Sequence, residues 1–307
     1  MRNWKFLLSS QLVRGNWFLH DAYAIGGLVD AAQLLSPTQN LEALTQDLSQ
    51  RPSYEVKHFS EGTPIFTAQV TDGQSFYDAL PQGSRAIFSL SGTLLKYGTL
   101  CTYGTEEIGA FIQEAANHPN ISGALFLIDS GGGAVNAVAP LTQAVQQFKA
   151  LNKPTLALCD AAYSAAYWVA AECDYIMAAN TISSGFGSIG VMTSWLDYSE
   201  YLKKLGVTEH IIYAPESTEK NLSYELAKAG KYEEIKTEDL SPLAKNFIKN
   251  VQSRRPQLVD DGKVLKGKTY LAEKALSIKL IDGIGNLQKA QEHLSNLITI
   301  QNFLNSK

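Results

Sequence analysis

From Ser84 onward the sequence alternates short apolar runs with amphipathic stretches, and this alternation restricts the fold more than any other feature. "RAIFSLSGTL" is an apolar strand run. "GTEEIGAFIQEAANHP" follows, with Ile108, Phe111, Ile112 and Ala115 at helical spacing. "ISGALFLIDSGGG" reads as a buried strand ending in glycines, and "VAPLTQAVQQFKALNKP" as a helix stopped near Pro154. "TLALCD" is the next strand, "AAYSAAYWVAAECD" the helix after it and "YIMAAN" a further strand. Beyond these, "HIIYAP" is expected as a strand and "SPLAKNFIKNVQSRRP" as a helix, in which Arg254 and Arg255 read as a solvated end. "GKTYLAEKALSIKLIDGIGNLQKAQEHL" adds a helix, a turn and a helix. Strands and helices alternating at these lengths imply stacked βαβ units around a mostly parallel sheet, an α/β fold.

Residues 1–83 have a different texture. They carry the helical patterns "DAYAIGGLVDAAQLL" and "NLEALTQDLSQ" and then a strand-like "PIFTAQV". No nucleophile, base or metal cluster stands out in them. They are expected to form a smaller, mostly helical assembly or capping segment ahead of a domain spanning residues 84–300.

Composition excludes several classes. The 307 residues are 45% hydrophobic and 18% charged, with a net charge of −4, enough chain for one large core plus a smaller unit. Without a basic excess, nucleic acid is not an expected partner. Cys101, Cys159 and Cys173 show no disulfide or metal spacing, which fits a reducing compartment and three small buried residues. The apolar run Phe6–Leu8 is broken by Ser9, Ser10, Gln11 and Arg14, too short for the core of a secretory signal. No run approaches the length of a transmembrane helix. A cytoplasmic protein is expected, and neither a metal nor an organic cofactor is implied.

In parallel α/β sheets, reactive groups gather at the carboxyl ends of strands. One strand end here delivers Gly131, Gly132 and Gly133, whose backbone amides can approach a ligand closely. A tight turn would also explain them. The other delivers Ser164 at the mouth of an alanine-rich helix. Ser164 is either an N-cap, satisfying an orphan amide, or a nucleophile that uses such amides to hold an oxyanion. A nucleophilic serine needs a base. None of the five histidines sits in an obvious motif with an aspartate, although His210 stays in play. A lysine serves if its pKa falls from about 10.4 towards 7–8, which takes some 3–5 kcal/mol of environment, and burial supplies that much. Lys220, in "YAPESTEKNLSYE", is a candidate, although the residues alone read as a solvated surface lysine.

Three segments in order, "LIDSGGGAV", "AAYSAAYWVAAECDYIMA" and "GFGSIGVM", resemble the S49 peptidase family of signal peptide peptidase A and the protease C relatives of archaea and phages. The resemblance extends over residues 84–290. It implies a ClpP/crotonase-type fold and a serine peptidase working through a Ser–Lys dyad and an acyl-enzyme. Ser164 matches the nucleophile. Gly133 matches one amide donor of the oxyanion hole, with the Ala165 amide as the second, and Gly131 and Gly132 fall in the substrate-binding loop. Ser188 matches a serine that orients the lysine, and Lys220 is the best match to the base. Lys203, Lys204, Lys228 and Lys231 are the alternatives. The family usually has proline where Gly131 stands, so a more mobile loop is expected here. "YAPESTEKN" resembles lysine segments of phage-type members, which points to a prophage capsid-maturation protease with a capsid or scaffold protein as polypeptide substrate. Family members assemble, so a homo-oligomer is expected. Two other classes stay open: a catalytically silent scaffold of the same fold, and a crotonase-type acyl-CoA enzyme.

Overall fold

The computed structural model describes residues 16–19, 54–60, 66–69, 76–98, 102–194, 199–208 and 210–306. Its strands are β1 (Asn16–Leu19), β2 (Glu55–Phe59), β3 (Phe66–Gln69), β4 (Ser84–Leu94), β5 (Ile121–Ala134), β6 (Thr155–Tyr163), β7 (Tyr175–Ala178), β8 (Gly185–Gly187), β9 (Met192–Thr193), β10 (Thr269–Leu271) and β11 (Gly283–Ile284). The helices are α1 (Thr105–Asn117), α2 (Val138–Ala150), α3 (Ala165–Glu172), α4 (Ser199–Lys204), α5 (Leu222–Lys228), α6 (Ser241–Arg254), α7 (Ala272–Ser277) and α8 (Leu287–Asn305).

The expected βαβ units are present. β4, β5 and β6 lie side by side and parallel, joined through α1 and α2. β5 shows why its sequence is a nearly unbroken apolar run. Ala124, Phe126 and Ile128 face the core shared with α1, α2 and α3, while Leu125 and Leu127 face a second core under α8. A strand covered on both faces has no polar side to show. The second core holds Ile87, Leu125, Leu156 and Leu158 from the sheet against Ala290, Leu294 and Ile298 of α8. Each such leucine gains roughly 1.5–3 kcal/mol from burial. Together these layers are a mostly parallel α/β sheet covered by helices on both faces, as the alternating pattern of the sequence implied.

The edge of β6 is shared. Leu156 to Cys159 pair in parallel with β7, and Ala161 to Tyr163 pair in parallel with β8. The sheet therefore divides along one strand, at Asp160. β5 divides likewise: it pairs with β6 as far as Ser130 opposite Ala162, and β1 takes the same edge from Gly132 onward.

Two expectations, those for "HIIYAP" and for Arg254 and Arg255, are corrected, while that of a mostly helical segment at 1–83 falls largely on residues outside the described ones. The described parts of residues 1–83 include β1, β2 and β3, which join the main sheet, β2 through its antiparallel pairing with β4. The two helical patterns at 21–35 and 40–50 fall outside the described residues, as does Cys101. "HIIYAP" is not a strand: residues 210–215 are turn and coil, with Ile212 92% exposed, and among the described residues no strand pairs with them. Arg254 and Arg255 are not a solvated end. Arg255 grips Asp282 through two hydrogen bonds of 2.8 and 2.7 Å, and Asp282 also accepts the Ile176 N–H at the start of β7. Arg254 Nε lies 2.8 Å from Glu172, a fully buried carboxylate that also accepts from Asn250 at 2.6 Å. The Arg254 contact is an ion pair without the alignment of a hydrogen bond.

The fork from Arg255 to Asp282 ties α6 to the β7–β11 corner. Arg255→Ala is expected to lower stability by about 2 kcal/mol, because a mostly buried bidentate pair is broken from one side, with part of that cost screened at the half-exposed carboxylate. Urea unfolding followed by circular dichroism measures it. A change within 0.5 kcal/mol would remove the pair from the account.

Candidate active site

Three neighbouring strands end together. β5 carries Gly131 to Gly133, β6 leads into Ser164 and β8 into Ser188. The register fixes their order: Ser130 lies opposite Ala162, and Tyr163 lies opposite Gly187. One step beyond, the two serines leave adjacent strands with matching left-handed φ, 53° at Ser164 and 55° at Ser188.

Ser164 does not have the geometry of an N-cap. It is the residue before α3, with φ 53° and ψ −120°, and its side chain makes no capping hydrogen bond. An N-cap residue has extended backbone and spends its oxygen on an amide of the first turn; Ser164 does neither. Its backbone is a sharp elbow between strand and helix, a conformation costing about 1–3 kcal/mol in a residue with a Cβ and one that holds a nucleophile above a sheet in hydrolases. The elbow is held at both sides: Ser164 N–H donates to Gly187 O at 2.8 Å, and Trp168 N–H donates to Ser164 O at 3.0 Å. With the Ser164 amide spent on β8, the amide of Ala165 is the first inside α3, where no intrahelical acceptor exists. The helix is locked below. Tyr167 is buried and donates to Leu280 O at 2.7 Å, and Trp168 stacks on Phe247 with centroids 4.6 Å apart.

The glycines are buried within β5, not looped out of it. Gly132 has φ +104°, and a Cβ on Gly133 would run into Leu94 O. Ser130 pins the turn: its hydroxyl donates to Gly92 O at 2.6 Å and accepts the Gly132 N–H at 3.1 Å. Where a more mobile loop was expected, Gly131 is buried within the end of β5. Sequence reasoning missed Ser130. Its signal was a small polar residue, fully buried, directly ahead of three glycines.

Ser164 and Ser188 line one cavity of about 490 Å³, with Ile189, Met192, Ile248 and Leu265 among its apolar walls. Lys266 and Lys268 also line it, and Lys268 O accepts the Ser188 N–H at 3.1 Å. Lys220 does not. It is exposed, on the turn before α5, and its N–H donates to Ser217 O at 3.2 Å. Lys203, Lys204 and Lys231 are exposed as well, Lys203 pairing with Glu200, and Lys228 pairs with Glu225. His210 is exposed. Among the described residues no cluster of histidine, cysteine and carboxylate is arranged to hold a metal, and no helix is long and apolar enough to cross a membrane. Cys159 and Cys173 are buried free thiols, and burial pushes both well above the ordinary thiol range. A hydroxyl on a strained elbow at a helix N-terminus, one strand from the glycine amides and lining a cavity of mixed polar and apolar walls, has parts of the kind needed to attack a carbonyl and hold an oxyanion.

The profile of peptidase family S49 matches residues 147–301. Protease 4 of Haemophilus influenzae is 25% identical over 198 residues, 64% of this chain and 31% of that protein. The head-tail preconnector protein of Enterobacteria phage P21 is 33% identical over 135 residues, 42% of this chain and 26% of that protein. This chain thus spans about a third or less of the length of either relative. A solved structure of a membrane-bound stomatin-specific protease with a substrate peptide superposes at a TM-score of 0.42, with 16% identity, over 71% of this chain and 81% of that one. The profile spans half of the sequence, including α3 with the helix that Ser164 opens, and the chain belongs to peptidase family S49.

Proposed function

We propose that the chain is a serine endopeptidase in which Ser164 is the nucleophile. The observation that carries this is the elbow: a serine held at φ 53° with no capping bond, one strand from Gly133 and one strand from Ser188. In the reaction, Ser164 Oγ attacks a peptide carbonyl carbon and its proton passes to a neutral lysine amine. The Gly133 and Ala165 amides hold the oxyanion. Collapse breaks the C–N bond, and the lysine ammonium returns the proton to the departing amine. Water then attacks the ester and gives its proton to the lysine; as the C–O bond breaks, the lysine ammonium returns that proton to Ser164 Oγ, and the acid product leaves and ionises in solvent. The apolar part of the cavity wall, Ile189, Met192, Ile248 and Leu265, supports an apolar side chain next to the cleaved bond. An acyl-CoA reaction is disfavoured because it gives the strained Ser164 elbow no task, and the same intact elbow disfavours a silent scaffold.

Lys220 is the base of this reading, with Ser188 positioning it. A lysine works as a base only when desolvated, and Lys220 is exposed in the single chain. The segments leading to it leave Tyr201, Leu205, Ile211 and Ile212 exposed, an apolar face of the kind that marks a protein contact. A second copy covering that face would bury the Lys220 segment and complete the site, which supports a homo-oligomer. Lys268 is the second reading for the base, because it already lines the cavity. The likeness to a phage preconnector protein supports a role in head maturation, with a capsid or scaffold protein as the polypeptide cut.

A fluorophosphonate probe tests the assignment. Wild type is expected to label. Ser164→Ala is expected to lose labelling entirely, and Lys220→Ala to slow it by about 100-fold or more, the scale of general-base catalysis, with Lys268→Ala near wild type. Labelling retained in Lys220→Ala and lost in Lys268→Ala would move the base to Lys268, and no labelling of assembled wild type would remove the peptidase reading.

The oxyanion strand gives a second prediction, read as peptide hydrolysis. Ser130→Ala is expected to slow turnover about tenfold with little change in KM, the worth of one hydrogen bond holding Gly132 and its neighbour in place. Unchanged kcat would show that the glycines need no pin.

A further inference from the structure

β1 lies in an unusual place. It pairs antiparallel with the glycine end of β5, with Trp17 opposite Ala134, Phe18 opposite Gly133 and Leu19 opposite Gly132. Its other side pairs antiparallel with β9, with Asn16 opposite Thr193 and Trp17 opposite Met192. Met192 is one of the residues lining the cavity of Ser164. Four residues, far in sequence from the rest of the site, thus bridge its two walls.

The same edge is the one a polypeptide substrate needs. A carbonyl attacked by Ser164 and held by Gly133 belongs to a chain passing along Gly132–Ala134, and extended peptides bind sheet edges by adding a strand. The opposite edge of these residues is already taken by β4, with Thr93 opposite Gly132 and Leu94 opposite Gly133. β6 leaves the remaining edge after Ala162, to turn into Ser164. The vacated edge is the one β1 fills. Direction agrees too. β1 runs antiparallel to β5, so its carboxyl end approaches the point where β6 turns to Ser164, and Leu19 is its last paired residue. Residues on the acyl side of a cleaved bond run in that sense.

We propose that Asn16–Leu19 occupies the slot for the acyl-side half of an extended polypeptide substrate, so that the chain's own strand blocks its site and leaves it when a substrate strand binds. The proposal rests on the peptidase reading. A backbone-only strand exchange explains how one slot accepts varied sequences, because the ladder is made of main-chain groups. It also gives the segment before the domain a task at the active site, where capping or assembly was expected.

A reversible lock tests it in the full-length chain. Asn16→Cys with Thr193→Cys places a thiol pair on facing strand residues, whose Cα separation of about 4.5–5.5 Å suits a disulfide. Two probes are used: a fluorophosphonate, which needs only Ser164, and an extended peptide-boronate, which needs the slot. Oxidation is expected to weaken peptide-boronate binding at least tenfold and reduction to restore it. Phe18→Pro, which removes a backbone donor from β1, is expected to tighten that binding about tenfold in the otherwise unchanged chain. Equal peptide-boronate binding by oxidised and reduced protein, with fluorophosphonate labelling intact, would overturn the self-blocking proposal and leave the peptidase reading standing. Failure of the disulfide to form would overturn the placement of β1 against β9. Absence of fluorophosphonate labelling in every form would overturn the peptidase reading and this proposal with it.

Discussion

Strand β6 pairs with β7 through Cys159 and with β8 from Ala161, and that exchange of partners at Asp160 sets the position of every group at the site. If β7 continued along the edge, Ser164 would follow a strand with no free neighbour. Because β8 takes over, Gly187 O is there to accept the Ser164 amide, and the elbow at φ 53° is held by hydrogen bonds on both sides. β5 divides at nearly the same height, leaving the Gly132–Ala134 edge open for an added strand. The Ser164 elbow, the glycine amides one strand away and the edge that β1 fills are therefore consequences of one feature, a parallel sheet that splits where its strands end. A strained backbone persists only where its surroundings over-determine it, and here the β8 bond, α3 and the Tyr167 anchor to Leu280 all do so.

The elements legible in the sequence were those whose pattern is local. α1 and α2 follow from the spacing of their apolar residues, and β5 from an apolar run covered on both faces. Ser164 was visible as a position, and only the family resemblance gave it a role, since a cap and a nucleophile have the same local sequence signature and differ in φ, ψ and hydrogen bonding. The elements that escaped depend on distant partners. Arg254 and Arg255 look solvated until Glu172 and Asp282 are brought beside them. "HIIYAP" has strand composition but, among the described residues, no strand to pair with. β1 is four residues long and becomes a strand only because β5 and β9 offer it two edges. Membership of family S49 was legible from three short segments, since their order and spacing carry the information that each lacks alone.

Lys220 is the place where sequence order and single-chain geometry part. Its position downstream of Ser188 matches the order of the family, yet it stands in solvent on the turn before α5, next to apolar residues that are also exposed. On the proposed reading, a base that needs desolvation and an apolar face that needs covering would be met by the same event, the arrival of a second protein surface.

The most direct measurement is the site of the acyl group. A slowly deacylating peptide ester, quenched during turnover and mapped by tandem mass spectrometry, is predicted to leave a stoichiometric adduct on Ser164, gone in Ser164→Ala. An adduct on another residue, or turnover with no adduct at all, would contradict the account.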